Sequence, residues 1–378
     1  MKSGSHVRTF LAFLCLALLL TGCTAQPPAQ PPTAAPVLTA HLARTLTAFA
    51  DAGKEVAFSP DGQELATSSV DGTVKLWRVA DGTLVRTLPH PVGVTSIAFS
   101  PDGQWLASAS YDSALRIWSL KDGALVRTLT GHEGTIWSVA FSPDGERLAS
   151  GGEDKTVKLW NLRDGAPIRT LTGHTLNVWC VRFSPDGKHL ASGSFDRTVR
   201  IWSAETGELE RTLTGPTQAV VHIAFSPDGQ WLAGGGDDSS VRIWRASDGR
   251  LERTLTTGSS HVYTVAFSPD GRWIAGGGRE AGALGTLRKQ LFGIRTEGSH
   301  GTSVRIWRVQ DGALQQELAE HADDVWSVAF SPDGAWLATS SEDRTVKLWA
   351  LRVEPGAGST ARQPAAGEKP VDEVVPSG

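Results

Sequence analysis

Short runs of alternating apolar and small residues fill the chain from residue 39 to residue 352, and turn-forming residues end each run. In one unit, Ile136 to Phe141 is stopped by Ser-Pro-Asp-Gly at 142–145, where proline fixes φ and glycine accepts a positive φ. Further runs follow at Arg147 to Gly151, Thr156 to Asn161 and Pro167 to Leu171. The pattern predicts units of four short strands with both faces apolar, as in sheets that pack between two others.

The unit occurs seven times at a period of about 42 residues, which is typical of a radial array because one unit cannot bury its own apolar faces. A tryptophan follows the first serine of each turn by 18 residues in six copies and by 39 in the sixth, so the sixth copy carries an insertion of 21 residues. The first serines of the turns are Ser59, Ser100, Ser142, Ser184, Ser226, Ser268 and Ser331. The tryptophans are Trp77, Trp118, Trp160, Trp202, Trp244, Trp307 and Trp349.

Four features of these units resemble the WD-repeat β-propeller family: Gly-His before the first strand, Ser-Pro-Asp-Gly after it, Asp in the second turn, and Leu-Trp or Ile-Trp in the third strand. The resemblance implies an all-β, seven-bladed β-propeller of four-stranded antiparallel blades. In the family a blade ends with a strand from the following repeat, and Leu42 to Thr47 repeats the pattern of Leu125 to Thr130. We therefore expect the N-terminal strand to complete the last blade, Asp324 to Leu351, and to close the ring.

A histidine, a serine or threonine, an aspartate and a tryptophan recur at fixed offsets in four copies. One such set would suit a hydrolase triad, but a fourfold recurrence is expected of a structural element, since an active site is normally single. The family resemblance implies a buried hydrogen-bond network of these residues within each blade. The four sets are His90, Ser108, Asp112 and Trp118; His132, Ser150, Asp154 and Trp160; His174, Ser192, Asp196 and Trp202; and His321, Thr339, Asp343 and Trp349.

The other three copies lack part of this set, and we expect their blades to be less rigid. Phe49, Pro216 and Gly258 occupy the histidine position in the first, fifth and sixth copies. Gly234 and Gly276 replace the serine or threonine.

Composition and charge narrow the range of partners. The chain has 41 glycines and 14 tryptophans, which suits a β protein with many turns and a repeated aromatic residue. Its formal charge is −4 and it has no basic stripe, so nucleic acid is not an expected partner. The three cysteines give no disulfide framework, and the sequence has no His-Glu metal spacing, nucleophile elbow or glycine-rich phosphate loop. We expect no cofactor and no metal.

The first 23 residues have the pattern of an export signal. Lys2 and Arg8 flank an apolar run from Phe10 to Leu20 that is too short to span a bilayer. The run ends in Leu-Thr-Gly-Cys, which resembles the bacterial lipoprotein box; the resemblance implies removal of residues 1–22 and acylation of Cys23, which would hold the protein on a membrane. The alternative is an ordinary signal peptide that contains a cysteine. We expect a location in the bacterial cell envelope, on the extracytoplasmic side.

Two segments flank the predicted ring. Residues 23–38 contain five prolines and predict an extended tether of polyproline geometry. Residues 353–378, rich in proline, alanine, glycine and charge, have too little apolar content to pack and predict a disordered tail.

Turns on one rim of the predicted ring are nearly identical, whereas the loops of the opposite rim vary. The family resemblance implies that residues at the variable rim edge the top mouth of the central channel and contact partners. Aromatic rings there would give large, rigid contact area, and the alternative is that they pack between blades. The positions four residues before each first-strand phenylalanine are Lys54, Thr95, Trp137, Trp179, Val221, Tyr263 and Trp326. Those before the second-turn aspartate are Val70, Tyr111, Glu153, Phe195, Asp237 and Glu342. The expected partner-binding residues are Trp137, Trp179, Tyr263, Trp326, Tyr111 and Phe195.

The insertion, 279–299, leaves from the same rim because it replaces a turn between second and third strands. Four apolar residues stand at near-helical spacing beside three basic ones, but four glycines interrupt the pattern. A folded docking element and a disordered loop both remain consistent with it.

Three functions are compatible with these observations. The one we expect is a lipid-anchored platform, a monomeric ring that binds other extracytoplasmic or membrane-associated proteins or peptides and has no catalytic activity. The second is a binder of a small ligand or glycan, in which aromatic rings at the channel mouth stack on sugars. The third is a propeller hydrolase, for which an unrepeated His-Asp or paired-acid cluster would be the evidence.

Overall fold

The computed structural model describes residues 35–47, 49–257, 259–280 and 304–355. Within these ranges the chain forms 28 strands in seven antiparallel sheets of four strands each. This confirms the predicted all-β, seven-bladed propeller. The described residues contain no helix that is long and apolar enough to cross a membrane.

The sheets are numbered as blades 1 to 7 in chain order. Blade 1 consists of β2 (Gly53–Phe58), β3 (Glu64–Ser69), β4 (Thr73–Arg78) and β5 (Leu84–Pro89). Blade 2 consists of β6 (Val94–Phe99), β7 (Trp105–Ser110), β8 (Ala114–Ser119) and β9 (Leu125–Thr130). Blade 3 consists of β10 (Ile136–Phe141), β11 (Arg147–Gly152), β12 (Val157–Asn161) and β13 (Pro167–Leu171). Blade 4 consists of β14 (Val178–Phe183), β15 (His189–Ser194), β16 (Val199–Ser203) and β17 (Leu209–Leu213).

The remaining blades follow the same plan. Blade 5 consists of β18 (Val220–Phe225), β19 (Trp231–Gly236), β20 (Ser240–Arg245) and β21 (Leu251–Thr256). Blade 6 consists of β22 (Ser259–Phe267), β23 (Trp273–Glu280), β24 (Val304–Arg308) and β25 (Leu314–Leu318). Blade 7 consists of β26 (Val325–Phe330), β27 (Trp336–Ser341), β28 (Thr345–Glu354) and β1 (Val37–Thr47).

The N-terminal strand β1 closes the ring, as expected. It pairs with β28 along its whole length, from Val37 opposite Glu354 to Thr47 opposite Thr345. Both strands are longer than the pattern predicts, because β28 continues past Trp349 and offers β1 further partners. The ends of the predicted tether and tail, 37–38 and 353–354, therefore belong to the sheet.

First strands run toward the Ser-Pro-Asp-Gly turns, which define one rim of the disc, here called the turn rim; the opposite rim is the mouth rim. The turn sequence recurs because its side chains bond its own backbone. In blade 1 the Ser59 hydroxyl donates to Asp61 (2.6 Å) and accepts from the Glu64 N–H (2.9 Å). Gly62, at φ 70°, takes the left-handed conformation that the turn requires.

The hydrophobic core lies between blades rather than within them. One cluster joins Ala149 and Leu159 of blade 3 to Val178 and Leu190 of blade 4, all almost fully buried, and six similar clusters repeat around the described ring. Arginines of the outer strands also donate to backbone carbonyls of the next blade, as Arg127 does to Leu162 (2.7 Å). The same contact is made by Arg44, Arg86, Arg211 and Arg253. Each blade is therefore stabilised mainly by its neighbours.

A ring of seven hydrogen bonds surrounds the channel, one at each blade-to-blade junction. In each, a first-strand N–H donates to a side chain of the preceding blade, for example Val139 to Ser96 and Val181 to Ser138, both at 3.1 Å. The seven accepting side chains are Ser327, Glu55, Ser96, Ser138, Cys180, His222 and Thr264. This ring fixes the depth and spacing of the residues one position earlier, which edge the mouth.

Candidate functional site

The repeated polar residues are joined by buried hydrogen bonds in blades 3, 4 and 7. In blade 3, His132 bonds Asp154 through Nδ1 (2.9 Å) and Ser150 through Nε2 (2.7 Å), and the Trp160 indole N–H donates to Ser150 (2.8 Å). Burial alone would raise the pKa of Asp154, but the bonds from His132 and Thr156 outweigh it and hold the pKa well below its ordinary value. The sets around His174 and His321 have the same bonds.

Blade 2 departs from the expected network at its aspartate. His90 bonds Ser108 (2.8 Å), but Asp112 pairs with Arg116 (2.6 Å), whose guanidinium offers two donors. His90 Nδ1 instead contacts the Leu88 carbonyl (3.2 Å). Without a carboxylate partner, burial lowers the pKa of His90 to about 4. The expectation that Asp112 belongs to the His90 network was therefore wrong.

Blades 1 and 5 have partial sets. In blade 1 the Trp77 indole donates to Thr67 (2.9 Å), and Phe49 fills the histidine position. In blade 5, Gly234 provides no hydroxyl, and the buried Trp244 N–H has no partner among the described residues. In blade 6, Gly258 and most of the insertion lie outside the described residues.

Aromatic side chains form two stacks at the mouth. Trp137 lies on Trp179 with ring centroids 4.5 Å apart and planes 8° from parallel. Across the mouth Tyr263 lies on Trp326 at 4.5 Å and 11°. Blade order places Lys54 and Thr95 between the two stacks on one side and Val221 on the other. The structure therefore brings together the four first-strand aromatic residues expected at the partner-binding face.

The outer faces of both stacks are occupied within the protein. The edge of Tyr111 contacts Trp137 (5.8 Å), and Phe195 packs on Trp179 (5.0 Å). On the other stack, His261 lies on Tyr263 (5.7 Å) and Lys54 Nζ lies 3.5 Å from the Trp326 centroid. These contacts leave mainly ring edges to line the mouth. Burial lowers the pKa of Lys54 to about 8, against the opposing effect of Glu342, Asp51 and Asp324.

The stacks surround a cavity of about 250 Å³ whose floor is a charged cluster. Arg182 of blade 4 reaches across the channel and donates to Glu55 of blade 1 (3.2 Å), to His222 of blade 5 (2.8 Å) and to Ser138 (3.1 Å). The Val265 N–H also points at His222 (3.4 Å). A neutral imidazole can accept from only one of these two donors and an imidazolium from neither, so His222 is held neutral, and burial together with Arg182 puts its pKa well below the ordinary value. The channel is thus closed beneath the mouth.

Sequence reasoning did not find this floor. The signal was present, because Arg182 stands where the six other copies have alanine, and Glu55 and His222 stand where four of the remaining five have serine or threonine. Comparison of the copies position by position would have singled out all three. That they meet across the channel follows only from the closed ring.

Three carboxylates at the mouth rim, Asp323, Asp324 and Glu342, have oxygens within 4.8 Å of one another, which is a spacing that a cation could use. Arg279, at the start of the predicted insertion, already pairs with Asp324 (2.8 Å). Residues 281–303 and Cys23 lie outside the described residues.

Seven four-stranded blades, four of which contain a buried contact between histidine, serine or threonine, and tryptophan, define the chain as a seven-bladed propeller of tryptophan-containing repeats. The chain belongs to the family described as WD domain, G-beta repeat, which matches residues 37–78, 82–119, 123–161, 165–203, 207–245, 249–286 and 312–350.

Three similar proteins match over short stretches of the chain. Coronin-7 of Mus musculus is 39% identical over 62 residues, which is 16% of this chain and 7% of that protein. A periodic tryptophan protein 2 homolog of Neurospora crassa is 42% identical over 48 residues, 13% of this chain and 5% of that protein. Superkiller complex protein 8 of Dictyostelium discoideum is 34% identical over 59 residues, 16% of this chain and 20% of that protein. These matches cover little more than one repeat.

Proposed function

We propose that the protein is an interaction platform that binds a protein or peptide at its mouth. The observation that carries this proposal is the pair of aromatic stacks around a blind cavity, on the rim where the repeats differ most. Large aromatic side chains at the centre of a contact surface are the residues that dominate binding energy. WD-repeat propellers generally act as scaffolds for protein–protein contacts, which agrees with this use.

The floor of the cavity does not favour a hydrolase. His222 faces two donors and bonds no carboxylate within the described part of the chain that could orient it as a base, and Arg182 is bonded to four acceptors. Cys180 is fully buried and bonded to the Ile223 backbone, and burial raises the pKa of its thiol. The geometry supports a structural role for Arg182, His222 and Cys180 and not a catalytic one.

A glycan site is also less favoured than a peptide site. Sugars stack on the flat faces of aromatic rings, and here Lys54, His261, Phe195 and the rings themselves cover those faces.

The anchor is part of the same proposal. Acylation of Cys23 would hold the ring on the extracytoplasmic side of a bacterial membrane, supported by the apolar run Phe10 to Leu20 and the Leu-Thr-Gly-Cys sequence that ends it. Cys23→Ala should move the protein out of the membrane fraction, either in soluble form or as an uncleaved precursor. Mass spectrometry of the mature N-terminus should show lipid on residue 23, and an unmodified cysteine there would contradict the anchor.

Affinity capture from membrane extracts tests the platform. Trp179→Ala or Trp326→Ala should weaken capture of the partner by about thirtyfold, because loss of an aromatic hot spot costs about 2 kcal/mol or more. Trp105→Ala and Trp231→Ala at the turn rim are matched controls, since both are partly buried first residues of second strands. Trp273 is unsuitable because it is buried. Greater loss in the control variants at equal stability would place the site on the turn rim instead.

A further inference from the structure

Lys54 is the one charged residue among the seven first-strand positions that edge the mouth. Its side chain lines the cavity, and Nζ lies 3.5 Å from the centroid of the Trp326 ring. An ammonium group has three N–H donors. In the part of the chain that the structure describes, Nζ donates to no acceptor and pairs with no carboxylate. The ring of Trp326 is therefore its main contact.

The other lysines of the described ranges have their donors served. Three of them, Lys75, Lys158 and Lys347, each donate to a threonine hydroxyl. The remaining three are exposed to solvent: Lys121, Lys155 and Lys188. Lys54 alone is half-buried without such a bond, and burial lowers its pKa to about 8. Near neutral pH a larger share of this amine is therefore neutral and nucleophilic than in an exposed lysine, whose pKa is about 10.4.

We infer that Lys54 is a carbonyl-reactive amine, which forms an imine with a small apolar or aromatic aldehyde held in the cavity. This goes beyond the proposed platform and does not depend on it. The neutral Nζ attacks the carbonyl carbon, and the carbonyl oxygen leaves as water. One amine, one aldehyde and one proton from solvent give one protonated imine and one water, so that atoms and charge balance. Lysines that form such bonds are commonly desolvated in apolar pockets.

The protonated imine suits this environment better than the ammonium does. It has one N–H in place of three, which removes two donors that have no acceptor within the described residues. It also keeps the positive charge over the face of Trp326, where the nearby carboxylates of Glu342, Asp51 and Asp324 stabilise a cation. An acyl or carboxyl group on Nζ would remove that charge. The site therefore favours a carbonyl compound over an acylating one.

The cavity has room for the group that the aldehyde brings. Thr95 follows Lys54 around the mouth, and it is smaller than the aromatic residues at four of the other positions. The volume is about 250 Å³, whereas an apolar cavity of about 150 Å³ already holds benzene in an engineered protein. The lining beyond Thr95 includes Trp137 and Trp179, whose ring edges suit an apolar substituent.

Reductive trapping tests the inference on the full mature protein. Limiting benzaldehyde is added with cyanoborohydride, which reduces an imine to a stable benzylamine, and mass spectrometry of peptides measures the label on each lysine. At pH 7 we expect Lys54 to be labelled at least about tenfold faster than Lys121, Lys155 and Lys188, with a pH midpoint near 8 in place of about 10.4. Labelling of Lys54 no faster than that of the exposed lysines would overturn the inference.

A competitor separates the cavity from the amine. Benzyl alcohol has the ring of benzaldehyde but no carbonyl group, so it should occupy the cavity without reacting. An excess should slow the labelling of Lys54 and leave that of Lys121 unchanged. If both lysines kept their rates, the aldehyde would not be held in the cavity, and the inference would be wrong.

A variant tests the site without a reductant. Lys54→Arg keeps a cation beside Trp326 but removes the nucleophile, and Lys121→Arg is the matched control. With cinnamaldehyde the wild type and the control should develop the long-wavelength absorption of a protonated imine, and Lys54→Arg should not. The same band in Lys54→Arg would overturn the assignment to Lys54. A band at the shorter wavelength of a neutral imine would contradict the stabilisation of its charge by Trp326 and the carboxylates.

Discussion

Each hydroxyl of the repeated polar set serves two partners at once. Ser192 accepts from the Trp202 indole (2.8 Å) and bonds His174 (2.7 Å), which in turn bonds Asp196 (2.8 Å). Loss of one residue leaves its partners buried and unpaired, so the residues of the set stabilise the blade cooperatively.

Asp196→Ala should lower the free energy of unfolding by about 1–3 kcal/mol, because it leaves His174 and the Thr175 N–H without their acceptor. Chemical denaturation measures the change. Glu205→Ala, which removes an exposed carboxylate of the same blade, should cost little. If Asp196→Ala kept wild-type stability but lost partner binding, the structural role of Asp196 would be contradicted and a functional role indicated.

His90 should make stability depend on pH. The pKa of His90 in the folded protein is about 4, below the ordinary value. Between about pH 4 and about pH 6.5 the imidazole is therefore protonated in the unfolded chain and neutral in the folded ring. The contribution of neutral His90 to the free energy of unfolding is fully present above about pH 6.5. It falls as the pH drops toward about 4, by at most on the order of 3 kcal/mol. Denaturation of the wild type and His90→Gln at both ends of this range should show a smaller loss in the variant, and parallel losses would contradict the assignment.

The positions of the repeated residues could be predicted from the sequence, but not all of their partners. The offsets of His, Ser and Asp are the same in blades 2 and 3, yet Asp112 bonds Arg116 while Asp154 bonds His132. Both a guanidinium and an imidazole are within reach of Asp112, and side-chain geometry in the packed blade decides between them. The one difference in sequence is that each aspartate that bonds histidine also accepts from a threonine two residues later, where blade 2 has Ala114.

At the scale of elements, the fold was the most predictable property because turns and strands repeat with little change. The closing strand was expected from Leu42 to Thr47, and only its length was not: β1 begins at Val37 because β28 extends beyond its repeat and pairs with the added residues. The mouth was predicted as a set of positions, whereas its division into two stacks depends on which neighbours are aromatic in the closed ring.

Removal of residues 37–47 should strongly destabilise the ring. It unpairs β28 and takes Leu38, Ala40 and Leu46 out of buried clusters, leaving an exposed strand edge. Thermal melts should show a large fall in Tm and aggregation, whereas removal of 356–378 should change Tm little. Equal melting of both truncations and the intact mature protein would contradict closure by β1.

At the scale of the whole molecule, Arg182 joins blades 1, 4 and 5 across the channel. Arg182→Ala should lower the free energy of unfolding by about 1–3 kcal/mol, because it leaves the partly buried Glu55 without its cation. The double variant Arg182→Ala with Glu55→Ser restores the residues common among the copies and should recover much of the loss. Additive losses in the double variant, measured by denaturation, would show that the two residues act independently.

The direction of the closing strand also determines how the ring bears force. β1 runs from Val37 at the turn rim to Thr47 at the mouth rim. A pull at Val37 against a partner held in the mouth acts along the strand, so the hydrogen bonds to β28 are sheared together and share the load. A force between Val37 and Glu354 would act across the strands at one end of the pair and break the same hydrogen bonds one after another. A ring held through its N-terminal side while its mouth is engaged therefore carries tension in the stronger of the two directions.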